Sequence, residues 1–201
     1  MSTADTVADV LRRQRACRSF TDEPVDEKTL TTILELATRA PSAQNLQPWQ
    51  FVVVSDPDRR AAIWELGARL WEMGAAEASR GVVTDAVHAD VAQGVTGGFA
   101  KAPVSVVVGF DTDRCDRSMM PSSIWPAVQN LLIAATAHGL GSALTTIATI
   151  FTDELRGIVG LPDSIDPVAV IPIGHPARAL GSSRRDPVDE HAHREEYGRG
   201  W

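Results

Sequence analysis

Two cysteines in 201 residues, Cys17 and Cys115, lie far apart and match no CxxC spacing. That leaves no basis for a disulfide framework or a thiolate metal site, and both read as ordinary thiols. No apolar run approaches the roughly 18 residues that a membrane-spanning helix needs. Met1-Ser2-Thr3-Ala4-Asp5 has neither the basic nor the apolar region of a secretion signal. The expectation is a soluble, cytoplasmic protein. The phosphate-binding patterns GxGxxG and GxxxxGK[ST] are missing, which weakens dinucleotide-fold and P-loop readings. A G-x-S-x-G elbow is missing too, and no Cys/His pair stands in a recognisable setting, so classical nucleophilic hydrolysis has no support. Internal repeats and low-complexity tracts are absent. Basic residues are in the minority: 19 Lys and Arg against 26 Asp and Glu give a net charge of −7 and a pI near 5.2. Such a surface argues against nucleic acid or an anionic membrane as the main partner.

What is there suits one domain over residues 1–201 with a sizeable core, at 44% hydrophobic and 22% charged residues. Val7, Val10 and Leu11 predict a short amphipathic helix over 4–13. Asp26 caps a second over 26–40, with Leu30, Ile33, Leu34 and Ala37 on one face. A third runs over 58–77, with Ile63, Leu66, Leu70 and Met73 on the core side and Trp64 and Trp71 as packing residues. Residues 122–139 form a long apolar helix that stops at His138-Gly139-Leu140-Gly141, and 153–159 a short one. His138 is expected to cap that long helix, and His175 to be structural; His191 and His193 receive no role. Residues 50–55, 103–109 and 167–174 read as buried strands. Alternating strands and helices predict an α+β or α/β domain around a mixed sheet. Over 79–98 the pattern is weak, which suggests a mobile helix or flap. Asp85, His88 and Asp90 fall there, but a lone histidine at that spacing matches no metal motif.

Three stretches leave alternatives open. Arg12, Arg13, Arg15 and Arg18 fall within seven positions: either a solvated basic helix end, favourable against the helix dipole, or an anion site of guanidinium forks. Ala40-Pro41-Ser42-Ala43-Gln44-Asn45-Leu46-Gln47-Pro48-Trp49 packs two prolines and four polar residues between helix and strand. It reads as a rigid loop, because each proline lacks an N–H and pushes its predecessor out of the helical region. Such a loop is either a plain connector or a platform for a flat polar ligand. Ser142 to Ile147 is either strand filler or ligand-facing backbone.

Arg15-Ala16-Cys17-Arg18-Ser19-Phe20-Thr21-Asp22-Glu23-Pro24-Val25 and then Ala40 to Trp49 together resemble the FMN-dependent nitroreductase family. The similarity continues in the helix from Ile124 into Gly141, in Ile173-Gly174-His175-Pro176 and in Arg184-Arg185-Asp186-Pro187. It covers nearly the whole chain in the family's order. The resemblance implies a nitroreductase-like, three-layer α+β fold: a central mixed, mainly antiparallel sheet flanked by helices. It further implies a homodimer with two FMN sites at the interface and a C-terminal arm, about 184–201, exchanged between subunits. NAD(P)H would be the reductant, and a small-molecule electron acceptor such as a nitroaromatic or quinone the substrate, in a ping-pong reaction that needs no side-chain nucleophile.

By the same resemblance, Arg15, the backbone around Ala16, and Arg185 would hold the FMN phosphate. Arg18 would sit near the flavin pyrimidine edge and tune its electronics. Pro41, Ser42, Ala43 and Asn45 would reach the ring from the other subunit. Leu144, Thr145 and Thr146 would line its opposite side, with a backbone N–H there aimed at N5. The chain departs from the family pattern at Gln14, where a further arginine is common, at Ala16, where serine usually contacts phosphate, and at Ser183, where lysine is frequent. Each costs roughly 1–3 kcal/mol if nothing substitutes; Arg12, Arg13 and Arg184 are the candidates to compensate. Alternatives are a flavin-binding or storage protein, and a flavin-destroying or dehalogenating branch of the family.

Overall fold

Every residue of Val104-Ser105-Val106-Val107-Val108-Gly109-Phe110 is buried, as a near-continuous apolar strand requires when both its faces are covered. This strand, β2 (Val104–Asp111), pairs antiparallel with β1 (Trp49–Val54) on one side and β4 (Ile165–Gly174) on the other. With β3 (Gly141–Ser142) the sheet order is β1-β2-β4-β3. The computed structural model describes residues 3–201. All the pairs between these strands are antiparallel, and the mixed character comes from a parallel bridge between Ala16 and Ser142 at the β3 edge.

Successive strand residues point to opposite faces, and each face carries its own core. Val106, Val108, Ile171 and Ile173 join Ile33 of α2 (Glu27–Ala37) and Ile124 and Leu131 of α6 (Met120–Ala137). Val107 and Val170 join Ile63 and Trp64 of α3 (Pro57–Leu70) and Leu155 of α7 (Thr152–Val159). Helices therefore cover both faces of the sheet, in three layers. Each fully buried Ile or Leu adds about 1.5–3 kcal/mol. Ser105, on the second face, is buried with its hydroxyl accepting from Trp64 Nε1 at 3.0 Å, which satisfies both groups.

Caps set the helix starts. Asp26 accepts from the Thr29 N–H at 2.9 Å, and Asp56 from the Arg59 N–H at 2.9 Å with Pro57 in the first turn of α3. The end of α6 is closed by Gly139 at φ +76°: its N–H reaches the Thr136 carbonyl at 3.0 Å and the Leu140 N–H reaches that of Ala135 at 2.9 Å. A left-handed glycine and these two crossed bonds satisfy the last carbonyls of the helix. His138 is the C-cap residue, as its position predicted.

One expected helix is interrupted, and the stretch expected to be a helix or flap holds a helix. The helix expected over 58–77 breaks into α3, a wide turn Trp71–Ala75 with Gly74 at φ +133°, and the short α4 (Ala76–Ser79). The break shifts the helical phase, so Met73, placed on the core side by periodicity, is 70% exposed. The weakly patterned 79–98 stretch contains a regular helix, α5 (Asp85–Gln93), opened by the Thr84 cap and followed by a wide turn over Gly94–Gly98. Periodicity failed there because no residue of α5 is fully buried. The N-terminal α1 (Thr3–Arg13) buries Val10 but leaves Val7 and Leu11 exposed.

Candidate functional site

Residues 14–21 leave α1 and are sewn to the end of the sheet by the backbone. The Cys17 N–H donates to the Ser142 carbonyl, the Thr21 N–H to that of His175, and the Ala177 N–H to that of Ser19, at 2.9, 2.9 and 3.0 Å. Gly141 is required beneath this seam, since a Cβ there would stand 2.6 Å from Cys17 Sγ. Cys17 is buried, and burial pushes its thiol above the ordinary value while the thiol donates to the Ser19 carbonyl at 3.2 Å.

The seam puts Arg18 on the wall between two cavities. The larger, about 410 Å³, is mainly apolar and is lined by Leu144, Thr145 and Thr146 together with Val95 and Phe99. Arg18 is the one ionisable group on its lining among the described residues. The smaller, about 240 Å³, is lined by Arg15, Ala16, Arg18, Asp90 and Arg178, among others. Here Asp90 accepts from Arg18 Nη1 at 2.6 Å through one oxygen and from Arg178 Nη2 at 2.8 Å through the other. Close packing fixes the approach of the α5 segment: a Cβ at Gly98 would overlap the Arg18 carbonyl oxygen.

Of the residues expected at a site, the structure thus brings Arg15, Ala16, Arg18, Leu144, Thr145 and Thr146 around these adjoining cavities. Thr145 is fixed against β4: its N–H and hydroxyl both donate to the Val170 carbonyl, at 3.2 and 2.8 Å, and its carbonyl accepts from the Val170 N–H at 2.9 Å. Its N–H is therefore committed, which leaves Leu144 and Thr146 as the neighbouring backbone donors. Gln14 and Ser183 meet each other, the Ser183 hydroxyl donating to the Gln14 carbonyl at 3.3 Å. Arg15 Nη1 donates to the Gly181 carbonyl at 3.3 Å. Arg13 is paired with Asp9 on its own helix at 2.7 Å.

Pro41, Ser42, Ala43 and Asn45 line neither cavity, and neither do Arg184 and Arg185, which are exposed. The loop is rigid in the sense anticipated. The Gln47 N–H reaches Ser42 Oγ and the Ala43 N–H reaches the buried Ser123 Oγ, both at 3.1 Å, while Arg114 holds the Gln47 carbonyl. Gln44, Asn45 and Gln47 have φ of 51°, 56° and 50°, a left-handed conformation that non-glycine residues adopt at a cost of roughly 1–3 kcal/mol each. Backbone strain of this kind concentrates at binding loops, and Pro41, Gln44 and Asn45 are exposed on it. Residue patterns missed Arg178, and Asp90 stood out only as a poor metal ligand. The available signal for Arg178 was its place just behind the third buried strand, two residues after His175-Pro176. Among the described residues no cluster of His, Cys, Asp or Glu could hold a metal ion.

A model of the nitroreductase family matches residues 11–175. The chain belongs to that family. It is 30% identical, over 88% of its own length and 90% of the relative's, to a NADH dehydrogenase of Thermus thermophilus. Among solved structures, this nitroreductase-family chain superposes with a TM-score of 0.74 on an FMN- and NADPH-dependent nitroreductase from Sphigopyxis sp. strain HMH. That similarity is at 25% identity and covers 95% of this chain and 99% of the other. A putative nitroreductase from Desulfovibrio desulfuricans, solved in complex with FMN, gives a TM-score of 0.71 at 27% identity, covering 95% and 97%. Nitroreductase membership accounts for the three-layer α+β fold and for the order in which the arginine segment, the Pro41–Pro48 loop and the Gly-Leu-Gly turn occur.

Proposed function

We propose that this chain is an FMN-dependent oxidoreductase that uses NAD(P)H to reduce nitroaromatics, quinones or similar electron-poor acceptors, and that it works as a homodimer. The observation that carries the reading is Arg18 standing between an apolar cavity and a cationic one. A flat apolar ring joined to a phosphate has the same division of chemistry, so the donor set fits FMN. Bound there, FMN would supply hydride-transfer chemistry between NAD(P)H and an electron-poor acceptor, the two substrates using one site in turn.

The residues of the chain bind and tune. Arg15 offers guanidinium donors to the phosphate, with the Ala16 backbone beside it; Arg185, which lines neither cavity and donates to the Arg184 carbonyl, would join them only by swinging in from the surface. Arg18 places a positive charge beside the ring, favouring its reduced, anionic form. Leu144, Thr145 and Thr146 form one wall of the ring cavity, with the N–H of Leu144 or Thr146 available to meet a ring nitrogen. Pro41, Ser42, Ala43 and Asn45 would complete the site on the partner subunit, which fits a braced loop that lines neither cavity of its own chain.

An absorption spectrum of the purified protein, with heat release and chromatography of any yellow chromophore, tests the reading. FMN at about one per subunit is the expected result. Colourless protein that also refuses added FMN would overturn it. Steady-state NAD(P)H oxidation with a quinone then separates an enzyme from a flavin-storage protein, which would show no turnover beyond that of free FMN.

A further inference from the structure

We infer that Arg178 is a phosphate-binding residue of the cofactor site and that Asp90 is the carboxylate that positions it. The inference rests on the flavin reading above and adds residues that the family resemblance does not assign.

Arg178 lines the same cavity as Arg15 and Arg18. Its place there is set by the backbone rather than by the reach of a long side chain. The Ala177 N–H is bonded to the Ser19 carbonyl at 3.0 Å, and Pro176 bridges Phe20. The residue before Arg178 is thus tied to the residue after Arg18. Three guanidinium groups and one carboxylate around about 240 Å³ leave a local charge of 3 − 1 = +2, in a chain whose net charge is −7. A phosphate monoester carries about −1.5 to −2 near neutral pH, so the cavity matches it in sign and size.

The departures at Gln14, Ala16 and Ser183 sharpen the need. Ser183 spends its hydroxyl proton on the Gln14 carbonyl, and Ala16 has no hydroxyl, so donors expected of the family pattern are missing. A guanidinium fork can replace them. Asp90 takes one charge from the cavity but presents its oxygens to the arginines. Its two oxygens are each occupied by a different arginine, at 2.6 and 2.8 Å, and its side chain is only 20% exposed. One N–H of Arg178 is spent on Asp90, and the rest of its fork stays available. Asp90 is itself held from behind, because α5 runs into the turn whose Gly98 packs on the Arg18 backbone.

The test is titration of the flavin-free full chain with FMN and with riboflavin, followed by flavin fluorescence. Riboflavin lacks only the phosphate. The wild type is expected to prefer FMN. Arg178→Gln should weaken FMN binding roughly tenfold or more while leaving riboflavin unchanged, the worth of one charge-assisted contact. Arg178→Lys should recover part of the preference as a point charge. Asp90→Asn should also lower the ratio of FMN to riboflavin affinity, through a misplaced Arg178. Because Arg178 is 64% exposed, its variants should fold, and circular dichroism checks this. Equal losses for both flavins, or no change in the ratio, overturn the role of Arg178 while the flavin reading stands. A higher FMN preference in Asp90→Asn overturns the positioning role, since it would mean the carboxylate only repels. Wild-type protein that binds neither flavin overturns the flavin reading and this inference together.

Discussion

The Ser183 hydroxyl donates to the Gln14 carbonyl at 3.3 Å, so two positions where the chain departs from the family's phosphate-binding pattern lie against each other. The stretch at Gly181 to Ser183 passes over the arginine segment of the same chain, and the Gly181 carbonyl receives Arg15 on the way. Restoring the usual charges at this crossing, as Gln14→Arg with Ser183→Lys, should tighten FMN binding by roughly two powers of ten, the worth of two added charge-assisted contacts. Titration of flavin-free protein checks it, and unaltered affinity would place the phosphate elsewhere.

Arg18→Gln removes the positive charge beside the larger cavity. The reduced flavin is the more negative form, so the variant should lower the midpoint potential, by roughly 30–60 mV for a two-electron couple. Equilibration with a reference dye during reduction reads the shift directly. Asp90 cancels part of the Arg18 field, which sets the effect below that of an unpaired guanidinium.

Gly98→Ala tests the packing that brings α5 to the site. The added methyl has the Arg18 carbonyl oxygen on one side and that of Gln93, 2.7 Å from the new Cβ, on another. Both are backbone atoms and neither can swing away. A stability loss of about 1–3 kcal/mol is expected, readable as a lower denaturant midpoint, with weaker FMN binding because Asp90 and Arg18 separate.

Acid should destabilise the fold in a defined window. Asp26 is held below the usual carboxylate range by hydrogen bonds from Thr29, Asp116 by those from Ser118, and Glu154 by the Arg69 guanidinium. Each folded pKa lies below its unfolded value. These contributions are therefore complete above about pH 5 and are lost as pH falls through about 4 and below. Thermal unfolding between pH 3 and 7 should show this decline, and Asp26→Asn should flatten part of it.

The arginine segment, the rigid loop and the apolar strands were legible because each rests on local chemistry: guanidinium spacing, the missing N–H groups of proline, and runs of valine. The cap at Asp26 and the glycine stop at Gly139 were legible for the same reason. Asp90 was not, because its meaning depends on Arg18 and Arg178, which lie far from it in sequence and reach it only through the fold. Met73 misled because periodicity assumes an unbroken helix, and the turn at Gly74 resets the phase. The placement of Leu144 to Thr146 on a cavity wall could not be separated from strand filler by residue type alone, since Thr145 does both: it pairs with Val170 and lines the cavity.

The seam that ties residues 14–21 to Ser142, His175 and Ala177 has a consequence for the order of folding. Its partners lie two to three times as far apart along the chain as the paired residues of β1, β2 and β4, which raises its closure entropy by about 1 kcal/mol over theirs. The sheet and its two cores can form first, and the arginine segment docks last. Refolding should then regain its far-ultraviolet signal before it regains the ability to quench flavin fluorescence, and added FMN should speed only the second phase.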